Sequence, residues 1–151
     1  MKEKFIATSI IIALCAISSS CLTGRQARNW LDSKKGNPTI DMTGEWDAGY
    51  VWGGGWGGSK FIQTGNEITG TMGLYNVEGV VDGDNIYLVF TAGARVFYTG
   101  HIKPMDKNTM VGSAVEKAII NSNETQNAPK YPIILKKYSS AEEKKDTKPM
   151  K

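Results

Sequence analysis

The sequence predicts an all-β domain over residues 42–138, folded as a small antiparallel up-and-down meander barrel of about eight strands. Apolar and polar side chains alternate with a period of two through most of this region, which is typical of strands with one buried face. Clusters of Gly, Asn and Asp separate the alternating runs, and the chain contains 17 Gly. With both ends set aside, a chain of 151 residues has room for a single hydrophobic core.

The predicted strands follow one another through short connections. The clearest hairpin joins residues 77–81 to residues 86–90, because the intervening Asp-Gly-Asp-Asn is a strong turn signal. Residues 67–74 alternate, with Ile68, Met72 and Leu74 on one side and Glu67, Thr69 and Thr71 on the other, which predicts a half-buried strand. The remaining predicted strands are 44–52, 56–63, 95–103, 109–115 and 131–138, and a polar connection covers 116–130.

Closure of this meander into a barrel is expected because it removes both exposed strand edges. Gly70, Gly79, Gly100 and Gly112 lie inside strand patterns, where Gly usually marks a bulge or a tight bend of a strongly coiled small barrel. A two-sheet β-sandwich is the alternative architecture.

Residues 1–20 have the build of a secretory signal peptide. Lys2 and Lys4 precede an apolar run over 5–17, which is too short to cross a hydrocarbon layer about 30 Å thick. The next residues, Ile-Ser-Ser-Ser-Cys ending at Cys21, resemble the lipobox of bacterial lipoproteins, with Ser18 in place of the usual aliphatic residue.

The lipobox resemblance implies that Cys21 is acylated with palmitate-like chains and becomes the first residue of the mature protein. Cys15 would leave with the signal peptide, so no thiol would remain for a disulfide or a metal. The alternative is an incidental Cys21 beside a signal peptidase I site. Leu22, rather than Asp, follows the Cys, which favours the outer membrane if the bacterium has two membranes.

The two segments that flank the barrel are polar. Residues 21–41 are interpreted as a lipidated tether, a spacer with one short helical turn around Trp30. Residues 139–151 form a mixed-charge run that we expect to be disordered. Between Met42 and Tyr138 the chain has eight Lys and Arg against nine Asp and Glu, a balance that argues against a nucleic-acid-binding face.

In outline, the Thr-Gly-Glu-Trp opening at residues 43–46 and the meander that follows resemble the calycin group, which includes lipocalins and avidins. The resemblance covers residues 42–138 and implies binding of a small ligand in the barrel mouth. Barrels of similar shape also occur in bacterial periplasmic inhibitors of proteases and lysozyme.

The Gly-rich segment 52–60 is the most unusual in the chain. Its side chains Trp52 and Trp56 could offer flat apolar faces to a ligand or partner. The alternative is a long hairpin turn whose Trp residues cover one barrel end. A phosphate-binding loop is not expected, because residues 61–63 continue as a strand rather than a helix.

Three further side chains are candidates for the barrel mouth, namely Arg95, Tyr98 and Glu78, although alternation alone does not show which strand face is interior. Trp46 is predicted to close one end of the barrel, with its indole N–H bonded to a backbone carbonyl.

Enzyme and metal chemistry have little support in the sequence. Glu45 and Asp47 share one strand face, but nothing marks either carboxylate as desolvated, so no acid–base pair is predicted. His101 is the only His and is expected to be a surface strand residue rather than a metal ligand. No catalytic residue, metal or cofactor is predicted.

The sequence therefore predicts a membrane-anchored, non-enzymatic binding module for a small apolar or amphipathic ligand in the bacterial cell envelope. The alternative is a protein-binding lipoprotein of the periplasm or cell surface, either an inhibitor of a protease or lysozyme or an assembly partner.

Overall fold

The computed structural model describes residues 22–49 and 56–138, which fold as a closed eight-stranded antiparallel barrel with one short α-helix against its outer wall. The strands are β1 (Gly44–Asp47), β2 (Gly58–Thr64), β3 (Glu67–Met72), β4 (Tyr75–Asp82), β5 (Asn85–Ala92), β6 (Arg95–Asp106), β7 (Thr109–Glu116) and β8 (Tyr131–Lys137). The helix α1 is Gly24–Asp32, and Asn123–Thr125 form a short 3-10 helix.

Each strand pairs with the next in sequence, and β1 pairs with β8, where Trp46 lies opposite Lys137. The predicted up-and-down barrel is confirmed, and the β1–β8 pairing rules out the two-sheet sandwich. We call the end that carries the β2–β3, β4–β5 and β6–β7 turns the lower end. The upper end carries the β3–β4 and β5–β6 hairpins and the connection from β7 to β8.

Apolar side chains from all eight strands fill the described part of the barrel interior. The members of this core, each no more than 4% exposed, are Met42, Trp46, Ala48, Phe61, Ile68, Met72, Val77, Val81, Ile86, Leu88, Phe90, Ile102, Met110, Ala114, Ile133 and Leu135. Burial of so many large side chains is the main stabilising contribution to the fold. The interior is therefore occupied by the protein's own residues.

Three of the glycines inside the strands, Gly70, Gly79 and Gly112, lie close to the backbone of a neighbouring strand. A Cβ atom added to Gly70, for example, would meet the carbonyl oxygen of Lys60. At Gly100 the added atom would instead meet the side chains of Phe90 and Ile133. The register shifts lie elsewhere, between Phe90 and Thr91 and between Pro104 and Asp106, so the expectation of a bulge at these glycines was wrong.

Helix α1 is longer than the single turn that the sequence predicts around Trp30. Thr23 caps its first turn: the Gln26 amide N–H donates to Thr23 Oγ1 at 3.2 Å, and Gln26 Oε1 accepts from the Thr23 amide at 2.9 Å. Ala27 and Leu31 form the buried face, together with Leu22 before the helix.

The buried face of α1 packs on the outer wall of the barrel, where Val80, Val89 and Val96 present apolar side chains outward from β4, β5 and β6. After the helix, the backbone is hydrogen-bonded to the β4–β5 turn. The Thr39 N–H donates to the Gly83 carbonyl, and the Gly83 N–H donates to the Asn37 carbonyl, both at 2.8 Å. Residues 22–39 therefore do not form a free spacer but a layer of the folded domain.

The connection from β7 to β8 is held to the barrel wall by one buried hydroxyl. Thr99 Oγ1 on β6 donates to the Ala118 carbonyl at 2.7 Å and accepts from the Ile120 N–H at 2.7 Å. Both bonded groups lie in a segment whose backbone includes the left-handed residues Lys117 and Asn121, with φ of 52° and 62°. The hydroxyl therefore satisfies polar backbone groups that the strands do not reach.

Replacing Thr99 with Val is expected to lower the free energy of unfolding by about 1–3 kcal/mol, because the buried Ile120 N–H would lose its acceptor. Thr71→Val on the exposed face of β3 is the matched control and should change stability by less than about 0.5 kcal/mol. Urea unfolding followed by circular dichroism gives both values, and equal effects would contradict this role of Thr99.

Candidate functional site

Trp56 lies at the upper end, where its ring closes the barrel above the packed core. The indole N–H donates to the Pro132 carbonyl on β8 at 2.8 Å, which fixes the ring across the barrel mouth. Its ring centroid is 5.0 Å from that of Phe90 and 5.2 Å from that of Tyr98. Trp52, its predicted companion, lies outside the described residues.

Six aromatic side chains meet at this end, which we call the aromatic cluster: Trp56, Tyr75, Phe90, Phe97, Tyr98 and Tyr131. Tyr75 is central, since its ring centroid is 5.5 Å from that of Tyr98 and 5.7 Å from that of Phe97. Most of these pairs are edge-to-face or tilted, the arrangements that aromatic rings prefer. The cluster forms a rigid apolar cap on the upper end.

Part of the upper end is apolar and open to solvent. Leu74, in the β3–β4 hairpin beside Tyr75, is 95% exposed, and Tyr131 is 39% exposed. Trp56, Tyr75 and Tyr98 are partly buried. The exposed Leu74 and the partly exposed rings give this end of the barrel apolar area that is open to contact.

Tyr98 is the one predicted mouth residue whose side chain belongs to the cluster. Burial among the other rings, and then the neighbouring Tyr75 hydroxyl, raise the pKa of Tyr98 to about 12 from its ordinary value of 10.0. The folded protein therefore keeps this phenol protonated at a pH where the unfolded chain would release the proton.

The raised pKa of Tyr98 predicts a loss of stability in strong alkali. Between about pH 10 and pH 12, unfolding releases the Tyr98 proton, so the free energy of unfolding falls as the pH rises and the contribution is fully present below pH 10. The Tyr98→Phe variant should show a shallower decline over this range. Urea unfolding at pH 9, 10 and 11 measures the difference, and identical slopes for the two proteins would contradict it.

The other two predicted mouth residues lie apart from the cluster. Arg95 begins β6 at the upper end, opposite Ala92, and is exposed. Glu78 points outward from β4, where its carboxylate lies 3.7 Å from the guanidinium of Arg28 on α1. The expectation that Glu78 points into the mouth was wrong, because the interior positions of β4 are its neighbours Val77 and Gly79.

Trp46 closes the opposite, lower end. Its ring is 1% exposed, and the indole N–H donates to the Met42 carbonyl at 2.9 Å. The ammonium of Lys137 lies 5.2 Å from the ring centroid on the solvent side. The prediction that this Trp packs the floor and satisfies its N–H with a backbone carbonyl is confirmed.

The remaining titratable candidates have local structural partners. Glu45 accepts from Lys60 at 3.2 Å, and Asp47 accepts from the Gly49 N–H at 2.9 Å. His101 stacks on Tyr87 with ring centroids 4.7 Å apart, and burial lowers its pKa below the ordinary value. Within residues 22–49 and 56–138, no three His, Cys, Asp or Glu side chains lie close enough to share a metal ion.

Sequence reasoning missed Leu74, Tyr75, Phe97 and Tyr131 as parts of the site. Each lies where a strand begins or ends at the upper end, so the predicted strand order could have placed them together. Three grooves among the described residues lie outside the barrel, along α1, and one of about 440 Å³ is lined by Arg25, Thr91 and Ala94.

None of the helices in the described ranges has the length and apolar character needed to span a bilayer. Cys21, the predicted lipidation site, immediately precedes the described residues.

Comparison of the chain with protein-family models, with curated proteins and with solved structures finds no match.

Proposed function

We propose that this chain is a bacterial lipoprotein, acylated on Cys21, whose barrel is a non-enzymatic module that contacts an apolar or amphipathic molecule through its upper end. The observation that supports this most is the exposure of two apolar side chains at the upper end: Leu74, next to Tyr75 in the sequence, and Tyr131, a member of the aromatic cluster. With Leu22 after the acylated Cys, the outer membrane is the favoured location in a bacterium with two membranes.

Contact at the surface is favoured over a ligand inside the barrel, because core side chains fill the described interior beneath Trp56 and Phe90. The cluster offers ring faces and edges for apolar groups, while the Tyr75, Tyr98 and Tyr131 hydroxyls can bond to polar headgroups. A shallow surface of this kind suits a molecule with an apolar part and a polar part.

Lipid attachment is tested by labelling bacteria that express the chain with radioactive palmitate. Label is expected in the wild-type protein and should be absent from Cys21→Ser. Unlabelled wild-type protein, or equal labelling of the two proteins, would show that Cys21 is not the anchor.

Binding is tested by tryptophan fluorescence during titration with a monomeric lysophospholipid. The total tryptophan emission is expected to shift to shorter wavelength, because the lipid would displace water from Trp56 at the upper end. Leu74→Asp should weaken this response at least tenfold. Met105→Asp at the lower end is the matched control, since Met105 is also exposed, at 71%, and lies far from the cluster. No shift in the wild-type protein would contradict binding of amphiphiles.

A protein partner in the envelope is the second candidate, because the filled interior leaves surface contacts as the means of binding and interfaces often centre on Trp and Tyr. In that case, the wild-type barrel would capture one defined protein from an envelope extract, and Leu74→Asp would lose it while Met105→Asp would retain it. The lysophospholipid titration would then give no shift.

A further inference from the structure

The described chain begins in a buried position at its N-terminus. Leu22 is 8% exposed and packs in the cluster that α1 forms with the outer barrel wall. Cys21 is one peptide bond away, and consecutive Cα atoms are separated by about 3.8 Å. An anchor on Cys21 would therefore be joined to the folded domain without an intervening flexible spacer.

The direction of α1 determines which end of the barrel lies near that anchor. Gly24 and Arg25 in the first turn border a groove with Gly93 and Ala94, which form the β5–β6 hairpin at the upper end. After the last turn, Lys35 Nζ lies 2.7 Å from the Glu67 carboxylate at the lower end. The helix thus runs from the upper end to the lower end.

Leu22, the first described residue, and the aromatic cluster therefore lie at the same end of the barrel, while the last described residue, Tyr138, lies at the opposite end. There the Tyr138 N–H donates to the Glu45 carbonyl at 3.1 Å, near the start of β1.

The two ends also differ in the residues that they expose. The β3–β4 and β5–β6 hairpins at the upper end contain Leu74 and Arg95 and no carboxylate, and the connection from β7 to β8 at the same end adds Lys117 and Lys130 against Glu124. The described turns at the lower end contain three carboxylates, those of Asp82, Asp84 and Asp106, against the single cation Lys107. Anionic headgroups attract Arg and repel carboxylates, and Tyr and Trp rings are favoured at the membrane–water interface. The upper end is therefore the one suited to a bilayer surface.

From these observations we infer that α1 orients the barrel with its upper end facing the bilayer, so that Leu74, Arg95 and Tyr131 contact lipid headgroups. This inference rests on the proposed anchoring at Cys21 and names the amphipathic molecules that the aromatic end contacts: they are the lipids of the surrounding membrane. The lower end, with its acidic turns, faces away from the membrane.

In the experiment, the anchor is a phospholipid that is coupled chemically to Cys21, so the result does not depend on acylation in the cell. The chain from Cys21 to Lys151 is coupled through the Cys21 sulfur to a maleimide-bearing phospholipid in vesicles of phosphatidylethanolamine and phosphatidylglycerol. The vesicles also contain a brominated phospholipid, which quenches tryptophan by contact. Leu74→Trp and Met105→Trp each add one tryptophan at an exposed position, at opposite ends of the barrel.

The emission added by Leu74→Trp is expected to be quenched at least about twofold more than that added by Met105→Trp. Equal quenching, or stronger quenching at residue 105, would overturn the inference. Failure of palmitate labelling in the cell would instead refute the proposed lipoprotein, whatever the vesicle experiment gives.

A second variant tests the helix as the orienting element. Leu31→Asp places a carboxylate in the buried face of α1 and should release the helix, so that the quenching difference disappears while the barrel stays folded. Asn29→Asp on the exposed face of the same helix is the control and should retain the difference. A difference that survives release of the helix, as judged by protease sensitivity near Arg28, would show that α1 does not set the orientation.

Discussion

Replacing Gly112 with Ala is expected to lower the free energy of unfolding by about 3 kcal/mol or more, enough to prevent stable folding of a small domain. A Cβ atom at this position on β7 would meet the carbonyl oxygen of His101 and would lie 2.6 Å from the Cα of Ile102. Both obstacles are backbone atoms of β6, so no side-chain rotation relieves the clash. The two strands would have to separate, which breaks the ladder between them.

Gly24→Ala is the matched control for this substitution. Gly24 is in the first turn of α1, and an added Cβ there meets no atom within 4 Å. Because Ala favours helix over Gly by up to about 1 kcal/mol, the control should be neutral or slightly stabilising. Thermal unfolding of both variants measures the contrast, and a Gly112→Ala protein as stable as wild type would refute the close approach of β6 and β7.

Trp46→Ala should lower the free energy of unfolding by about 3–5 kcal/mol, because it removes the largest side chain from the floor of the core. The cavity would open toward the lower end, where Lys137 now covers the ring. The Met42 carbonyl would also lose its hydrogen bond from the indole N–H.

Trp46→Phe separates the loss of core volume from the loss of the indole hydrogen bond. It retains much of the apolar volume and should therefore cost less than the Ala variant. Tyr138→Ala is the control for loss of an exposed aromatic ring, since Tyr138 is 54% exposed and lies outside the core and the aromatic cluster, and it should cost less than about 1 kcal/mol. Urea unfolding at neutral pH should rank the loss of stability as largest for Trp46→Ala, smaller for Trp46→Phe and smallest for the control. If Trp46→Ala and Tyr138→Ala cost the same, Trp46 does not support the floor.

The strands were predictable because burial imposes a local pattern on them. Residues 77–81 and 86–90 are apolar runs on either side of an Asp-Gly-Asp-Asn turn, and the structure pairs Val77 with Phe90 and Val81 with Ile86 across that hairpin. The turn signal and the apolar runs both extend over only a few positions in sequence. Such short-range signals can be interpreted without knowing the rest of the fold.

Helix α1 was underestimated because its stability comes from a surface that is distant in sequence. A helix of nine residues is marginal alone, even with a capping box at Thr23. It folds on an apolar wall supplied by Val80, Val89 and Val96, from three different strands. Only after the barrel has formed do these outward-facing valines meet and give Ala27 and Leu31 a partner.

The candidate site, like the fold, was only partly predictable from the sequence. Sequence reasoning named Trp56 and Tyr98 as candidates, and the predicted strand order puts Tyr75, Phe97 and Tyr131 at the same end of the barrel. Whether these rings touch depends on the shear of the closed barrel, which the sequence does not give. Sequence reasoning also expected Glu78 in the mouth, since alternation defines two strand faces without saying which one is interior.

The sequence by itself determined the strand order, the turns and the closing role of Trp46, because alternation and turn chemistry are local consequences of burial and backbone geometry. It also supplied the signal-like leader and the lipobox-like motif before Leu22, on which the proposed anchor depends. Only the tertiary structure decided that core side chains fill the described interior, that six rings meet at one end, and that α1 brings Leu22 to that same end. These features depend on contacts between residues that are far apart in the chain, such as those of α1 with the valines of β4, β5 and β6.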